Sequence, residues 1–397
     1  MLMKSRYLLL IFLAHFQLII SQEPPKAAIY LLTCGPGTEI YSVYGHSALR
    51  IVIPEKGTDL VYNWGVFDFD TPHFGWKFAK GRLDYMLGVS TYNGFLKDYF
   101  QEQRWVISQK LNVEAEETEK LFSLIADNLK PENIKYRYDF LYDNCSTRIR
   151  DLIEKAVGEN LIYPPERPAK ELKSFRFLTG ECEKGYPWNK LGIDLLMGSP
   201  TDKKASFRDR MFLPIDLKNG LSELLIRRNG KMIPLLTDPV TVVDFESPVL
   251  KEKLFTAPAF IFSAILILLI IFTGLVRKKT SNTILDIVIF LVFSILAILM
   301  IFFNFFSEHN QLKWNLNIIW LNPFILVCLV CLLSGRNGMN WFRLVFFLSG
   351  LFLALLIVLP QHINNGFVPV IFILILRSSI RAGFRWNPLT LPYLTQI

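Results

Sequence analysis

The last third of the chain holds four apolar runs of about bilayer length and a shorter fifth, and nothing else constrains the fold as strongly. The runs cover residues 256–276, 284–306, 317–333 and 341–359, with 367–376 the short one. A helix needs about 20 apolar residues to cross the hydrocarbon core, so the first four predict spans, while the fifth has to be extended, tilted or partly re-entrant. Basic residues set the orientation. Arg277, Lys278 and Lys279 follow the first run, Arg336 and Arg343 flank the third and fourth, and Arg377, Arg381 and Arg385 follow the fifth. Five crossings put all of these on the cytoplasmic side. The other side receives the N-terminal region and two loops, near 307–315 and 361–366. The formal charge of +8 fits this distribution, so it is not read as a sign of nucleic-acid binding.

The chain divides accordingly. Lys4 and Arg6, the apolar stretch 7–20 and Ser21 resemble a secretory signal peptide over 1–21, with the cleavage point open because bulky residues precede Ser21. No cysteine follows directly, so nothing marks the chain as a lipoprotein itself. Residues 22–250 have globular composition and predict an exported α+β domain; 255–382 form the transmembrane helical domain and 383–397 a cytoplasmic tail.

Within the exported domain, Gly45-His46-Ser47-Ala48-Leu49-Arg50-Ile51-Val52-Ile53 reads as a histidine at the mouth of a strand that ends at a Pro-Glu-Lys-Gly turn. Asp143-Asn144-Cys145-Ser146-Thr147 reads as a cysteine in the first turn of a helix, capped by Asp143 or Asn144 and running to Gly158. A thiol at a helix N-terminus feels the positive end of the dipole, and a nearby imidazole lowers its pKa further. Such a thiolate serves acyl transfer; the plainer alternative is a buried inert cysteine and a surface histidine. A turn near Lys56-Gly57 sets His46 opposite roughly Phe67, with Asn63 on the same face and able to orient the imidazole. Asp68 is the alternative if the register slips by one residue. Asn144 and the backbone N–H of Cys145 are candidate oxyanion donors, although capping explains Asn144 equally well. His73 reads as a loop histidine.

Cysteine usage points the same way. The exported part holds Cys34, Cys145 and Cys182, and an odd number in an oxidising compartment leaves at least one unpaired. A Cys34–Cys182 pair leaves Cys145 free. Cys328 and Cys331 form a CxxC inside an apolar run, where packing explains them better than metal or redox work. No spacing suggests a metal site, and no cofactor is expected.

The outward loops are dense in polar groups. Asn315, Asn317 and Asn322 interrupt apolar sequence before Pro323, and Gln361 begins the second loop. Amides at membrane depth are costly when unpaired, so a substrate- or lipid-contacting role is one reading and interfacial capping the other.

These motifs together carry a resemblance. Leu31-Leu32-Thr33-Cys34-Gly35-Pro36-Gly37, Tyr44-Gly45-His46-Ser47, Tyr62-Asn63-Trp64-Gly65, Tyr138-Asp139-Phe140 and Asp143-Asn144-Cys145-Ser146-Thr147 resemble the Lnb family of bacterial lipoprotein N-acyltransferases, as does the Asn315/Asn317/Asn322-Pro323 loop. The resemblance implies a permuted papain-like periplasmic domain, with the histidine strand ahead of the cysteine helix and His46 and Cys145 at its catalytic positions. It also implies an inner-membrane enzyme that moves an acyl chain to the amine of a lipoprotein's lipidated cysteine. The donor it implies is a phospholipid, or the lipoprotein's own glyceride. The competing expectations are a membrane-anchored Cys–His cell-wall peptidase or amidase, and a non-enzymatic membrane receptor or scaffold.

Overall fold

The computed structural model describes residues 27–247, 254–276 and 278–384. The expected signal peptide, and the tail from residue 385 onward, lie outside the described residues. The strands are β1 (Ala28–Cys34), β2 (His46–Ile53), β3 (Thr58–Val66), β4 (Asp84–Thr91), β5 (Val106–Lys110), β6 (Lys135–Arg137), β7 (Leu161–Ile162), β8 (Leu225–Arg228), β9 (Lys231–Pro234) and β10 (Val240–Val243). Seven form one antiparallel sheet in the order β10-β5-β1-β2-β3-β4-β6, and β7, β8 and β9 form a small second sheet.

The hairpin that carries the histidine is set by its turn. A 3-10 turn at Pro54–Lys56 is followed by Gly57 at φ 60°, the left-handed region that glycine enters without strain. That turn pairs Ile53 with Thr58 and, four residues further, Leu49 with Tyr62. Continued toward His46, the same register meets Gly65, where β3 bulges between Trp64 and Val66 against β4. The observed pairing is thus two residues away from the expected His46–Phe67 opposition. Because side chains alternate with period two, the face is unchanged and Asn63 stays on the side of His46.

The Cys145–Val157 helix packs on this sheet. Ile149, Leu152, Ile153 and Ala156 recur at helical spacing and meet Leu31, Leu49, Ile51 and Trp64 in one core. Each leucine or isoleucine among them contributes roughly 1.5–3 kcal/mol on full burial, which anchors the helix over the strands.

Among the described residues the C-terminal region contains five α-helices: Pro258–Leu275, Lys279–Ile301, Phe324–Ser334, Met339–Leu355 and Phe367–Arg381. Among the described residues three segments are long and apolar enough to cross a membrane, Pro258–Leu275, Lys279–Phe306 and Leu316–Ser334, whereas Met339–Leu355 is apolar but shorter. The expectation of four full-length spans is corrected on this point. The third segment is broken, since a 3-10 turn at Leu316–Ile319 gives way to helix only at Phe324, after Asn322-Pro323. The short last helix lies inside the bundle, with Ile371, Leu374, Arg377 and Ser378 all buried. Arg377 is not a simple topology marker: it is fully buried and bonds Asp286 (2.6 Å), Thr273 (2.6 Å) and Asn282 (3.1 Å), which ties the last helix to the first two.

The two regions are stitched together by polar contacts. Arg82 pairs with Glu308 (2.6 Å), the Ser307 hydroxyl donates to the Ala79 carbonyl (2.8 Å), Asn364 Nδ2 donates to Asp194 (2.8 Å), and the N–H of His362 donates to Asp202 (3.1 Å).

Candidate active site

Cys145 opens its helix because Asn144 caps it. The Asn144 side-chain oxygen accepts the N–H groups of Ser146 (2.8 Å) and Thr147 (2.9 Å), and the Thr147 hydroxyl accepts the N–H of Asn144 in return (2.8 Å). This capping box fixes the first turn and aims its free N–H groups at the thiol's surroundings.

Two buried serines hold the cysteine helix against the histidine strand. Ser47 follows His46 and Ser146 follows Cys145, and their hydroxyls lie 3.3 Å apart with no exposure to solvent. One contact therefore sets the spacing of the two neighbouring residues. Sequence reading missed both serines; their only signal was a small hydroxyl residue directly after each candidate.

The result is a coupled thiol and imidazole. Burial pushes the Cys145 thiol up, but the charge of His46, a hydrogen bond from it, the N–H of Ser47 and the Ser146 hydroxyl outweigh that and leave it below its ordinary value. Burial pushes His46 down, yet the Cys145 thiolate and hydrogen bonds to Cys145 and Asn63 raise it above its ordinary value. Opposite charges stabilise each other here, so the pair favours thiolate and imidazolium. Asn63 Oδ1 lies 3.2 Å from His46 Nε2, which leaves Nδ1 as the nitrogen available to the thiol. Asp68 is not at the imidazole; its carboxylate accepts the N–H of Asp70 in a local turn (2.9 Å).

The other cysteines contrast with this one. Cys34 and Cys182 are unpaired, so the pairing that the odd count left open is not present. Burial pushes both thiols up to about 12, so they remain protonated.

The expected oxyanion role of the Asn144 side chain is also corrected. Its amide donates to the carbonyls of Phe140 (2.7 Å) and Phe212 (2.9 Å), so both of its N–H bonds are committed. The backbone N–H of Cys145, which has no acceptor within its own helix, is the donor that a helix start leaves over.

Asn315, Asn317, Asn322 and Gln361 do not line the site. All four are buried, and Asn315, Asn317 and Gln361 bond across to the residue 195–197 carbonyls of the periplasmic region. Asn315 donates to the carbonyls of Leu195 (2.8 Å) and Leu196 (2.9 Å), Asn317 takes the indole N–H of Trp320 (2.9 Å), and Gln361 donates to Asn315 (3.0 Å) and accepts from the N–H of Leu316 (2.8 Å). Asn322 donates to the Ile319 carbonyl (3.0 Å). These amides satisfy the carbonyl end of the Pro187–Leu196 helix and the broken third span, a docking role in place of the expected substrate contact.

Cys145 and His46 open into a cavity of about 710 Å³ whose walls come from both regions. Phe67, Tyr85 and Tyr138 stand on the sheet side, and Phe303, Gln311 and Leu312 on the membrane side. Phe67 and Tyr138 figure in the sequence motifs, but none of the six is readable there as a cavity wall, because only the docking of the two regions assembles them. The volume suits a drug- or lipid-sized molecule, and the walls are mainly aromatic and aliphatic. Among the described residues no group of three or more metal-ligating side chains gathers here or elsewhere.

Comparison with known proteins agrees with this division. The model of the Lnb N-terminal periplasmic domain matches residues 20–174, and that of the Lnb transmembrane domain matches 250–385. Searches of curated proteins and of solved structures return no match. The two matched stretches take in the cysteine–histidine pair, its cap and all five C-terminal helices, so this is a membrane protein with a periplasmic domain, and it belongs to the Lnb family.

Proposed function

We propose that the protein is an inner-membrane acyltransferase that passes an acyl chain through a Cys145 thioester to the N-terminal amine of a lipoprotein. Its five C-terminal helices cross or enter the bilayer, and its periplasmic domain is a permuted papain-like unit. The observation that carries this reading is the position of the thiol–imidazole pair on a largely apolar cavity shared with the membrane region.

Cys145 thiolate attacks the ester carbonyl of a phospholipid, the tetrahedral oxyanion takes the Cys145 N–H, and the imidazolium of His46 protonates the departing lysophospholipid oxygen. The lipoprotein amine then attacks the thioester while His46, now neutral, removes its proton; the amide forms and the thiolate is restored. Asn63 holds the imidazole in plane with both steps. An apolar cavity keeps water from the thioester, which hydrolysis would otherwise consume. Holding donor and acceptor in one leaflet raises their effective concentration with no new contact.

A cell-wall peptidase uses the same residues, but a peptide groove needs polar groups to pair a backbone, and the walls here are mainly aromatic and aliphatic. The test is mass spectrometry of lipoprotein N-termini from cells with and without the protein. Amide-linked acyl chains that vanish on deletion support the reading. Unchanged N-termini together with altered wall peptides favour the peptidase.

A further inference from the structure

An aromatic path leads from the thiol's neighbourhood to the membrane surface. Tyr138 stacks on Tyr85 (4.5 Å), Tyr85 meets Phe67 (5.2 Å), Phe67 meets Phe74 (5.9 Å), and Phe74 stacks on Phe78 one turn along the Phe74–Lys80 helix (6.3 Å). On the same helix Trp76 packs against Phe302 (5.4 Å), the first residue of the π-turn Phe302–Phe306 that ends the second membrane span. The helix is held at that depth by the membrane region: its Phe78, Ala79 and Lys80 carbonyls accept from His309 (2.8 Å), Ser307 (2.8 Å) and Glu308 (2.9 Å).

Yet its apolar side chains remain uncovered. Trp76 is 62% exposed and Phe78 50%, next to Phe305 at 68% and Phe306 at 57%. Exposed aromatics clustered at the end of an apolar span form a continuous surface with it and belong at the lipid interface, where indole rings are favoured. Lys77 and Lys80 in the last turn bring positive charge to the level of lipid phosphates.

We infer that the Phe74–Lys80 helix and the Phe302–Phe306 turn form a lateral portal, seated in the outer leaflet, through which a phospholipid acyl chain slides along the aromatic path to Cys145. Phe78 and Phe303 line the catalytic cavity, so the portal and the cavity share walls. The inference rests on the acyltransfer reading for its substrate, but its geometry is tested separately.

The experiment uses the full-length protein in vesicles of phosphatidylethanolamine and phosphatidylglycerol. A benzophenone amino acid replaces Trp76 in one sample and Lys56 in another. Lys56 sits on the hairpin turn at the far end of β2 from His46, roughly 25 Å along the strand. Illumination is expected to attach phospholipid at position 76 and not at position 56. In parallel, Cys145 acylation by vesicle phospholipid is compared with acylation by a short-chain phospholipid below its micelle concentration. Trp76→Glu with Phe78→Glu is expected to lower the vesicle-to-monomer ratio at least tenfold. An unchanged ratio, or equal adducts at both positions, overturns the portal. Absence of Cys145 acylation from either donor in the parent chain overturns the acyltransfer reading, while the adduct pattern still decides the portal.

Discussion

The Nε2 atom of His46 lies 3.2 Å from Oδ1 of Asn63, one strand away on the same face of the sheet. That bond orients the ring, leaves the other nitrogen for Cys145 and raises the imidazole's affinity for its proton. Removing the amide should therefore slow the chemistry without unfolding the sheet. Asn63→Ala is expected to lower kcat on the order of tenfold to a hundredfold, the worth of one hydrogen bond to a charged partner, with Asn63→Asp restoring part of it. Steady-state kinetics with circular dichroism as the folding control checks this.

The pH response follows from the two shifts. The thiol titrates below its ordinary value of 9.0 and the imidazole above 6.5, because each charge stabilises the other. As pH falls the thiolate gains a proton; as it rises the imidazolium loses one and the thiolate remains. Iodoacetamide should thus alkylate Cys145 at neutral pH, with the rate falling only as acid protonates the thiolate. In His46→Ala burial keeps only the Ser47 N–H and the Ser146 hydroxyl against it, and the inflection should move up. Cys34 and Cys182, near 12, should stay unlabelled.

Asn144 should prove structural. Asn144→Ala removes the cap oxygen for two N–H groups and both donors to the Phe140 and Phe212 carbonyls. A lost cap costs about 1 kcal/mol and each unsatisfied buried carbonyl about 1–3 kcal/mol. A lowered melting temperature alongside lost activity is expected, and Asn144→Asp, which keeps the cap oxygen, should recover part of the stability. Thermal unfolding in detergent measures both.

The buried amides between the regions should control docking. Asn315→Ala strands the Leu196 carbonyl, leaves that of Leu195 with Asn317 alone, and leaves the Gln361 amide with only the Met197 carbonyl. Hydrogen exchange across Pro187–Leu196 and the 310–320 loop should rise, with little change over β2 and β3. Activity should fall because one wall of the cavity loosens.

At the other end of the bundle, Asp286→Ala leaves Arg377 without its buried counter-charge and should cost about 3–5 kcal/mol. Changing both residues to apolar ones of similar volume should recover much of that. Unfolding of the two variants side by side tests the pair.

The legible parts of this protein are those fixed by local chemistry. Asn144 before Cys145 announces a helix start, and the apolar positions 149, 152, 153 and 156 announce its buried face; both follow from spacing alone. The hairpin was misplaced by two residues, yet Asn63 kept its side, because a two-residue slip preserves the alternation of a strand. The asparagines of the outward loop leave two readings open in the sequence, for a different reason. Their cost at membrane depth is visible in sequence, but their partners, the Leu195 and Leu196 carbonyls, lie over a hundred residues away, and nothing local pairs them. The cavity walls were invisible on the same ground: Phe67 and Phe303 become neighbours of one space only when the regions dock. The broken third span is partly readable from Asn322-Pro323, whereas the burial of Arg377 required knowing that Asp286 faces it.

The most direct measurement is intact-mass analysis of the full-length protein in phospholipid vesicles with the lipoprotein acceptor withheld. The account predicts one acyl adduct, mapped to Cys145 by peptide sequencing, released as an amide when a diacylated lipoprotein is added and absent from Cys145→Ala. An unmodified Cys145, or full transfer activity in Cys145→Ala, would contradict it.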